Sequence, residues 1–98
     1  MASRVLLVGG SGLMGSHAAR ALLAAGHRVS VLARGERPPA PGVEALRADR
    51  RDRSSLARAL DGRGFDVTVD FLAYDAPDVE ALFAVPGAAL GRYVMISS

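Results

Sequence analysis

The sequence predicts one α/β domain, a doubly wound parallel β-sheet with the strand order 3-2-1-4-5. Five short apolar segments alternate with helical patterns along the 98 residues, and this alternation is typical of parallel strands joined by right-handed crossovers. In addition, the first apolar segment leads directly into a glycine-rich run that opens an apolar helix. Ligands of such sheets bind beyond the carboxyl ends of the strands, where the strand order reverses.

Apolar spacing defines the first strand and the first helix. Arg4–Val8 has the length and composition of a buried strand. Residues 13–25 predict a helix. Its sheet-facing side is expected to carry small and apolar residues at helical spacing, namely Met14, Ala18, Ala21, Leu22 and Ala25. Gly26 then stands where a helix-ending glycine is expected.

The second and third strands are predicted at Arg28–Ala33 and at residues 43–48. The segment between them, residues 34–42, reads RGERPPAPG. Because proline and glycine are so frequent in it, we expect a loop in place of the usual crossover helix.

The second half of the chain continues the same alternation. The predicted elements are a helix at residues 54–60, a strand at residues 66–72, a helix from Pro77 to about residue 85, and a strand at residues 92–97. Asp52 or Ser54 is the expected N-cap of the helix that follows the third strand. Pro77 suits the first turn of the next helix, where its missing N–H costs nothing.

Composition excludes several classes of protein. There is no cysteine, so the chain has neither a disulfide framework nor a thiolate metal site. No apolar run reaches the roughly 18 residues of a membrane-spanning helix, and the N-terminus lacks the layout of a signal peptide. We therefore expect a cytoplasmic protein without a membrane partner.

The charged residues narrow the function further. All twelve basic residues are arginine and the net charge is only +2, which argues against a nucleic-acid partner and excludes a catalytic lysine within these residues. His17 and His27 have no partner at metal-ligand spacing, so no metal site is expected.

The glycine-rich run predicts a dinucleotide-binding loop, with a purely structural turn as the alternative. Gly9 or Gly10 permits a sharp turn off the first strand, Gly12 lets the backbone approach a pyrophosphate, and Gly15 lets the helix pack closely on the sheet. The helix N-terminus offers free N–H groups to the phosphates. The residues assigned to this loop are Gly9, Gly10, Ser11, Gly12, Leu13, Met14 and Gly15.

The end of the second strand bears on the choice between NAD and NADP. A carboxylate there binds the ribose 2′-hydroxyl and repels a 2′-phosphate, whereas this chain has Arg34. An arginine makes charge-assisted contacts with phosphate, so we expect NADP to be preferred over NAD. The alternative is a solvated loop arginine, and Arg37 is a candidate for either role.

Residues after the third and fourth strands complete the predicted site. Asp49, beside Arg50, is expected to accept a hydrogen bond from the adenine amino group, with a turn or cap role as the alternative. Leu72, Ala73 and Tyr74 close the fourth strand, where small and apolar residues let the backbone pass the pyrophosphate and ribose. Ordinary strand burial is the alternative for these residues.

Four segments in order, GGSGLMGSH, RADRRD, DFLAY and RYVMISS, resemble the N-terminal part of an extended short-chain dehydrogenase/reductase of the NAD-dependent epimerase/dehydratase group. Gly9, Gly12 and Gly15 match the GxxGxxG of that family, while Gly10, Gly12 and Gly15 fit the general GxGxxG. The resemblance covers essentially the whole chain. It implies a Rossmann-type fold, a bound NADP or NAD, and an oxidoreductase, epimerase or dehydratase as the parent protein.

The resemblance also implies what is missing. Family members use a Ser/Thr just beyond strand 5 and a Tyr-x-x-x-Lys farther on, but here Tyr74 is followed four places later by Asp78, and Tyr93 by Ser97. We therefore expect the NAD(P)-binding portion of a domain that ends after strand 5, with no catalytic residue, and inactive alone. A small-molecule substrate would require the absent C-terminal part.

Other readings stay open beside that one. The chain is also compatible with a non-catalytic NAD(P)-binding or redox-sensing module. A third alternative is an RNA-binding relative, similar to the branch of the family associated with RNA binding in chloroplasts. The edge of strand 5 is unpaired in this reading of the fold and is compatible with a homo-oligomer.

Overall fold

The structure is a computed structural model that describes residues 2–9, 13–35, 41–49, 51–71, 76–85 and 87–96. The strands are Arg4–Val8 (β1), Arg28–Ala33 (β2), Glu44–Arg47 (β3), Val67–Asp70 (β4) and Arg92–Met95 (β5). The helices are Leu13–Ala24 (α1), Arg53–Leu60 (α2) and Ala76–Phe83 (α3). The predicted elements are present, with ends that differ from the predictions by one or two residues.

The five strands form one parallel sheet in the order β3-β2-β1-β4-β5, which confirms the predicted topology. Val8 pairs with Leu32 of β2 on one side and with Asp70 of β4 on the other. Asp70 pairs in turn with Met95. The last residues of the strands therefore lie along one edge of the sheet, called the carboxyl edge below, and their first residues lie along the opposite, amino edge.

Each face of the sheet has its own apolar core because side chains alternate along a strand. On one face, side chains of β1 and β2 pack against the two shorter helices, α2 and α3. The buried residues of that face include Leu6, Val8, Leu32, Leu56, Leu60 and Leu82. On the other face the sheet packs against α1, and the buried residues are Val5, Leu7, Ala19, Val29 and Val31.

The predicted sheet-facing side of α1 is wrong in part. Ala21 and Ala25 are exposed, whereas Ala19 is 1% exposed and lies in the core. The partly buried residues packed with it are Ala18, Leu22 and Leu23. Gly15 is buried as well, so the contact side of α1 is rotated from the predicted one toward residues 15, 19 and 23. The side chain of Met14 lies outside the described part of the chain.

The end of α1 and the start of α2 are capped by the residues that the sequence predicts. The His27 N–H donates to the Leu22 carbonyl and the Gly26 N–H to the Leu23 carbonyl, both at 3.0 Å, which is the bonding pattern of a Schellman C-cap. At the start of α2, the Asp52 carboxylate accepts hydrogen bonds from the Ser54 and Ser55 N–H groups. Asp52 is therefore the N-cap, and the alternative, Ser54, lies inside the helix.

The surface near β5 exposes several large apolar side chains. Val94 and Met95 are 39% and 50% exposed, and Phe83 at the end of α3 is 53% exposed. The Phe83 ring packs on Tyr93, with ring centroids 5.2 Å apart. Within the described parts of the chain, no helix is long and apolar enough to cross a membrane.

Candidate functional site

The candidate site lies at the carboxyl edge between β1 and β4. The chain leaves β1 toward α1 and β2 on one side, while β4 and β5 lie on the other. The two connections diverge at this point, and in sheets of this kind such a divergence leaves a crevice above the strand ends. The Phe71 N–H donates to the Val8 carbonyl at 3.0 Å, so the strands stay paired up to the crevice.

The glycine-rich run begins with the geometry that a sharp turn requires. Gly9 has φ +78°, a backbone conformation that side chains rarely adopt, and its N–H donates to the Leu32 carbonyl at 2.7 Å. Gly10, Ser11 and Gly12 lie outside the described residues.

The helix that follows begins at once. The backbone of Leu13 and Met14 forms the start of α1, and Gly15 is buried. Because Gly15 has no side chain, the first turn of α1 can lie close to the sheet, as predicted from the sequence.

Two arginines meet beyond the ends of β2 and β3. Arg34 is exposed and directly follows β2, as expected. Its carbonyl oxygen accepts a hydrogen bond from Nε of Arg47, the last residue of β3, at 3.0 Å. Arg47 was not predicted as a site residue from the sequence. The available signal is its place near the end of the third predicted strand. In the structure this position pairs with Ala33, the last residue of β2.

Asp49 takes part in the turn that leads into α2. Its Oδ1 accepts a hydrogen bond from the Arg51 N–H at 2.9 Å, and its own N–H donates to Ser55 Oγ at 3.1 Å. Its carbonyl accepts from the Asp52 N–H at 3.0 Å. The turn role that was the alternative for Asp49 is therefore present, whereas the helix cap belongs to Asp52. Arg50 lies outside the described residues.

A buried carboxylate at the end of β4 was also missed. Asp70 is 0% exposed, and its Oδ2 accepts a hydrogen bond from the Tyr93 hydroxyl at 2.6 Å, which is the short distance typical of a charge-assisted bond. A carboxylate is rarely buried without such partners. An acidic residue inside the apolar run of residues 67–71 is the signal that could have identified it. Leu72, Ala73 and Tyr74 lie beyond the described residues.

The histidines lie away from the crevice. His27 Nδ1 accepts a hydrogen bond from the Ser3 N–H at 3.0 Å, at the amino edge, and His17 is exposed on α1. A search of the described residues finds no group of three or more His, Cys, Asp or Glu side chains that could hold a metal ion.

One carboxylate with a shifted pKa also lies at the amino edge. The Ser30 hydroxyl donates to Glu44 Oε1 at 2.9 Å, and this bond is the largest cause of a pKa for Glu44 below its ordinary value. The Arg63 guanidinium, 2.9 Å from the same oxygen, acts in the same direction. These contacts tie β2, β3 and the end of α2 together and take no part in the crevice.

Two known proteins are similar in sequence to nearly the whole of this chain. A 2'-dehydrokanamycin reductase from Streptomyces kanamyceticus is 37% identical over 97 residues, which is 97% of this chain and 27% of the reductase. A chloroplast stem-loop binding protein of 41 kDa from Arabidopsis thaliana is 31% identical over 97% of this chain and 29% of its own length. The chain thus spans less than a third of these relatives.

Solved structures agree on the fold. The structure of an epimerase from the methanogen Methanothermobacter thermautotrophicus superposes with a TM-score of 0.76 and 22% identity, over 99% of this chain and 35% of that one. The sequence model of the NAD dependent epimerase/dehydratase family matches residues 5–97. That match covers nearly the whole chain, and the chain therefore belongs to the NAD-dependent epimerase/dehydratase family.

Proposed function

We propose that this chain is the dinucleotide-binding portion of an NAD(P)-dependent oxidoreductase, epimerase or dehydratase of the extended short-chain dehydrogenase/reductase type. The observation that carries the proposal is the left-handed Gly9 at the exit of β1. It lies where the strand order reverses and leads into α1 within a chain of this family. Residues 1–98 form the NAD(P)-binding domain in this proposal.

The pyrophosphate of the cofactor binds at the start of α1 in this proposal. The free N–H groups of the first helical turn and the helix dipole both favour a negative group there. Gly12 and Gly15 keep side chains out of the way, and Gly10, Ser11, Leu13 and Met14 contribute backbone contacts. The buried position of Gly15 is consistent with a helix N-terminus close to the strand ends.

The adenosine half binds on the β2 and β3 side. Arg34 contacts the 2′-phosphate, so NADP is preferred over NAD. Asp49 accepts a hydrogen bond from the adenine amino group, and Arg50 lines the same pocket. The Asx-type bond from the Arg51 N–H to Asp49 Oδ1 supports this role because it holds the carboxylate in one orientation.

The nicotinamide half runs over the end of β4. Leu72, Ala73 and Tyr74 pass beneath the pyrophosphate and the second ribose in this proposal. The backbone bond from the Phe71 N–H to the Val8 carbonyl supports it, since that bond keeps the two strand ends adjacent where the cofactor crosses them.

A binding titration tests the proposal directly. The purified chain is titrated with NADP, NAD and ATP by calorimetry. We expect saturable binding of NADP, weaker binding of NAD, and no competition by ATP at equal concentration. A chain that is folded by circular dichroism and binds neither dinucleotide would contradict the proposal.

Turnover is expected only in a longer protein. Proton transfer needs a group of suitable pKa within hydrogen-bond reach of the substrate oxygen, and the 98 residues contain no Tyr-x-x-x-Lys. A nicotinamide absorbance assay over nucleotide sugars and carbonyl compounds should therefore show no turnover by this polypeptide. Cofactor-dependent turnover above a Tyr93→Phe control would mean that these residues hold a different catalytic group.

A second candidate function is binding of a nucleic-acid stem-loop. The similarity to the chloroplast stem-loop binding protein favours it, and Arg51 and Arg53 are exposed on the turn before and at the start of α2. A gel-shift assay with an RNA stem-loop at two salt concentrations tests it, because phosphate contacts weaken steeply with salt. Salt-sensitive binding of RNA that NADP does not displace would favour this candidate.

A further inference from the structure

We propose that Arg47 is a second 2′-phosphate-binding residue. The cofactor preference then depends on both Arg34 and Arg47, and Gly35 leaves the space that the Arg47 side chain occupies. This inference rests on the proposed function, because it assigns a residue to the same dinucleotide site. Three observations carry it: the bond between Arg47 and the Arg34 backbone, the space over Gly35, and the contrast with Arg63.

Strand pairing brings the two arginines to one corner of the sheet. Arg47 is the last residue of β3 and pairs with Ala33, the last residue of β2. Arg34 follows directly. The hydrogen bond from Arg47 Nε to the Arg34 carbonyl, at 3.0 Å, then draws the guanidinium of Arg47 over the start of the loop after β2. The Arg47 guanidinium therefore lies beside the backbone of Arg34, at one corner of the carboxyl edge.

Gly35 provides the space in which the Arg47 side chain lies. A Cβ at Gly35 would meet Arg47 Nε at 2.8 Å and Cδ at 3.0 Å, which are closer than van der Waals contact. Gly35 also has φ +87°, a conformation that favours glycine. The side chain of Arg47 thus packs flat on the backbone of Gly35, and any larger residue there would displace it.

Arg63 is a useful comparison, because its Nε also donates to a backbone carbonyl while a carboxylate lies beside its other nitrogens. Its Nε donates to the Ala59 carbonyl at 2.9 Å, and its Nη1 donates to Glu44 Oε1 at 2.9 Å. One edge of that guanidinium is anchored on the backbone while another binds an anion. Arg47 has the same backbone anchor, but among the residues that the structure describes no carboxylate lies within ion-pair distance of it.

The charge and geometry of this corner select a phosphate monoester. A guanidinium held by its Nε loses less conformational freedom when its terminal nitrogens bind a ligand. Arginine matches the oxygens of a phosphate in a bidentate manner. Two such cations favour the nearly doubly charged 2′-phosphate of NADP over the neutral 2′-hydroxyl of NAD.

The test measures the affinities of Arg34→Ala and of four further variants for NADP, NAD, 2′,5′-ADP and 5′-AMP by calorimetry. Arg47→Gln removes the positive charge. Gly35→Ala leaves Arg47 in the sequence but displaces its guanidinium. Arg47→Lys keeps the charge but loses the Nε anchor. Arg28→Gln is the matched control, because Arg28 is an exposed arginine of β2 that lies five residues from Ala33, about 16 Å along the strand.

We expect Arg47→Gln to weaken NADP and 2′,5′-ADP binding about 10- to 100-fold, the effect of one lost charge-assisted hydrogen bond. NAD and 5′-AMP should change less than twofold. Gly35→Ala and Arg47→Lys should follow Arg47→Gln in direction, and Arg28→Gln should match the wild type.

The failures of the two proposals differ. If the wild type prefers NADP and Arg34→Ala removes that preference while Arg47→Gln does not, the inference about Arg47 is wrong and the proposed function stands. Equal weakening of NADP and NAD by Arg47→Gln would assign Arg47 to folding of the corner and also overturn the inference. A wild-type chain that binds neither cofactor overturns both.

Discussion

The two edges of the sheet use their polar groups in different ways. At the amino edge, polar groups pair with one another. The Asp66 N–H donates to the Arg4 carbonyl, Asp66 Oδ2 accepts from the Arg4 N–H, and the Asp66 carbonyl accepts from the Arg92 N–H, all within 2.9 Å. The Ser3 N–H is bound by His27 in the same way. These bonds link the beginnings of neighbouring strands, β1 with β4, β4 with β5, and the residues just before β1 and β2.

At the carboxyl edge, by contrast, charged groups and glycine are gathered at the candidate site. Gly9, Arg34, Arg47 and Asp49 stand at or just beyond the ends of three neighbouring strands. The three charged residues among these are exposed, whereas Asp70 at the end of β4 is buried. We therefore expect substitutions at the amino edge to change the free energy of unfolding, and substitutions at the carboxyl edge to change cofactor binding.

The largest expected effect tests the carboxyl edge. We expect Gly12→Val to abolish binding of NADP and NAD, because a branched side chain would occupy the space that the pyrophosphate needs. The far-ultraviolet circular dichroism and the midpoint of thermal unfolding should stay near those of the wild type. A folded variant that binds cofactor normally would show that the loop is only structural.

The next effect tests the amino edge. A Cβ at Gly91 would overlap the carbonyl group of Asp66, so Gly91→Ala must displace the backbone where the beginnings of β4 and β5 lie side by side. We expect a loss of about 3 kcal/mol in the free energy of unfolding, from steric overlap and an unfavourable φ together. Urea denaturation measures it.

Gly62→Ala is the matched control for Gly91. Gly62 has a similar φ of +72°, but its added Cβ would meet nothing within 4 Å. This variant should lose only about 1 kcal/mol, the cost of the backbone conformation alone. Equal losses in the two variants would mean that the contact with Asp66 contributes little and would weaken the contrast between the edges.

A smaller effect is expected for the residue that follows β2. Arg34→Ala should weaken NADP binding by about 1.5–3 kcal/mol, because a charge-assisted contact with phosphate is lost, and should leave NAD binding nearly unchanged. Parallel titrations of both cofactors measure the difference. Equal affinities of the wild type for NADP and NAD, or an unchanged affinity of the variant for NADP, would remove the basis for the proposed preference.

The smallest effect concerns pH. Glu44 has a lowered pKa in the folded state, first because Ser30 donates to it and then because Arg63 lies beside it. Its contribution to stability is therefore present above its ordinary pKa of 4.5 and is lost as the pH falls through the lower folded-state value. Since its side chain is 50% exposed, we expect Glu44→Gln to lose less than about 1 kcal/mol at neutral pH.

Urea denaturation at pH 7 and near pH 3 measures this effect. The difference between wild type and Glu44→Gln should shrink at the lower pH, where Glu44 becomes protonated. Glu80→Gln, at an exposed position on α3, is the control and should show a smaller difference at pH 7. A loss by Glu44→Gln that stays constant with pH would point to packing instead of charge.

Local features of this protein could be predicted from the sequence. Asp52 and Gly26 were placed correctly at helix ends, because caps depend on hydrogen bonds within a few residues. Gly9 likewise has the positive φ expected of a sharp turn after β1. The contact side of α1 was predicted less well, since Ala18, Ala19, Ala21 and Ala25 are alike in composition and only packing against the sheet distinguishes them.

The sequence alone predicted the alternation of strands and helices and the strand order. These features follow from hydrophobic periodicity, turn residues and the handedness of crossovers. Only the tertiary structure decided which polar groups meet: Arg47 with the Arg34 backbone, Tyr93 with Asp70, and Arg63 with Glu44. The residues of each pair are 13 to 23 positions apart, so their contact depends on strand register and side-chain direction, which no local pattern encodes.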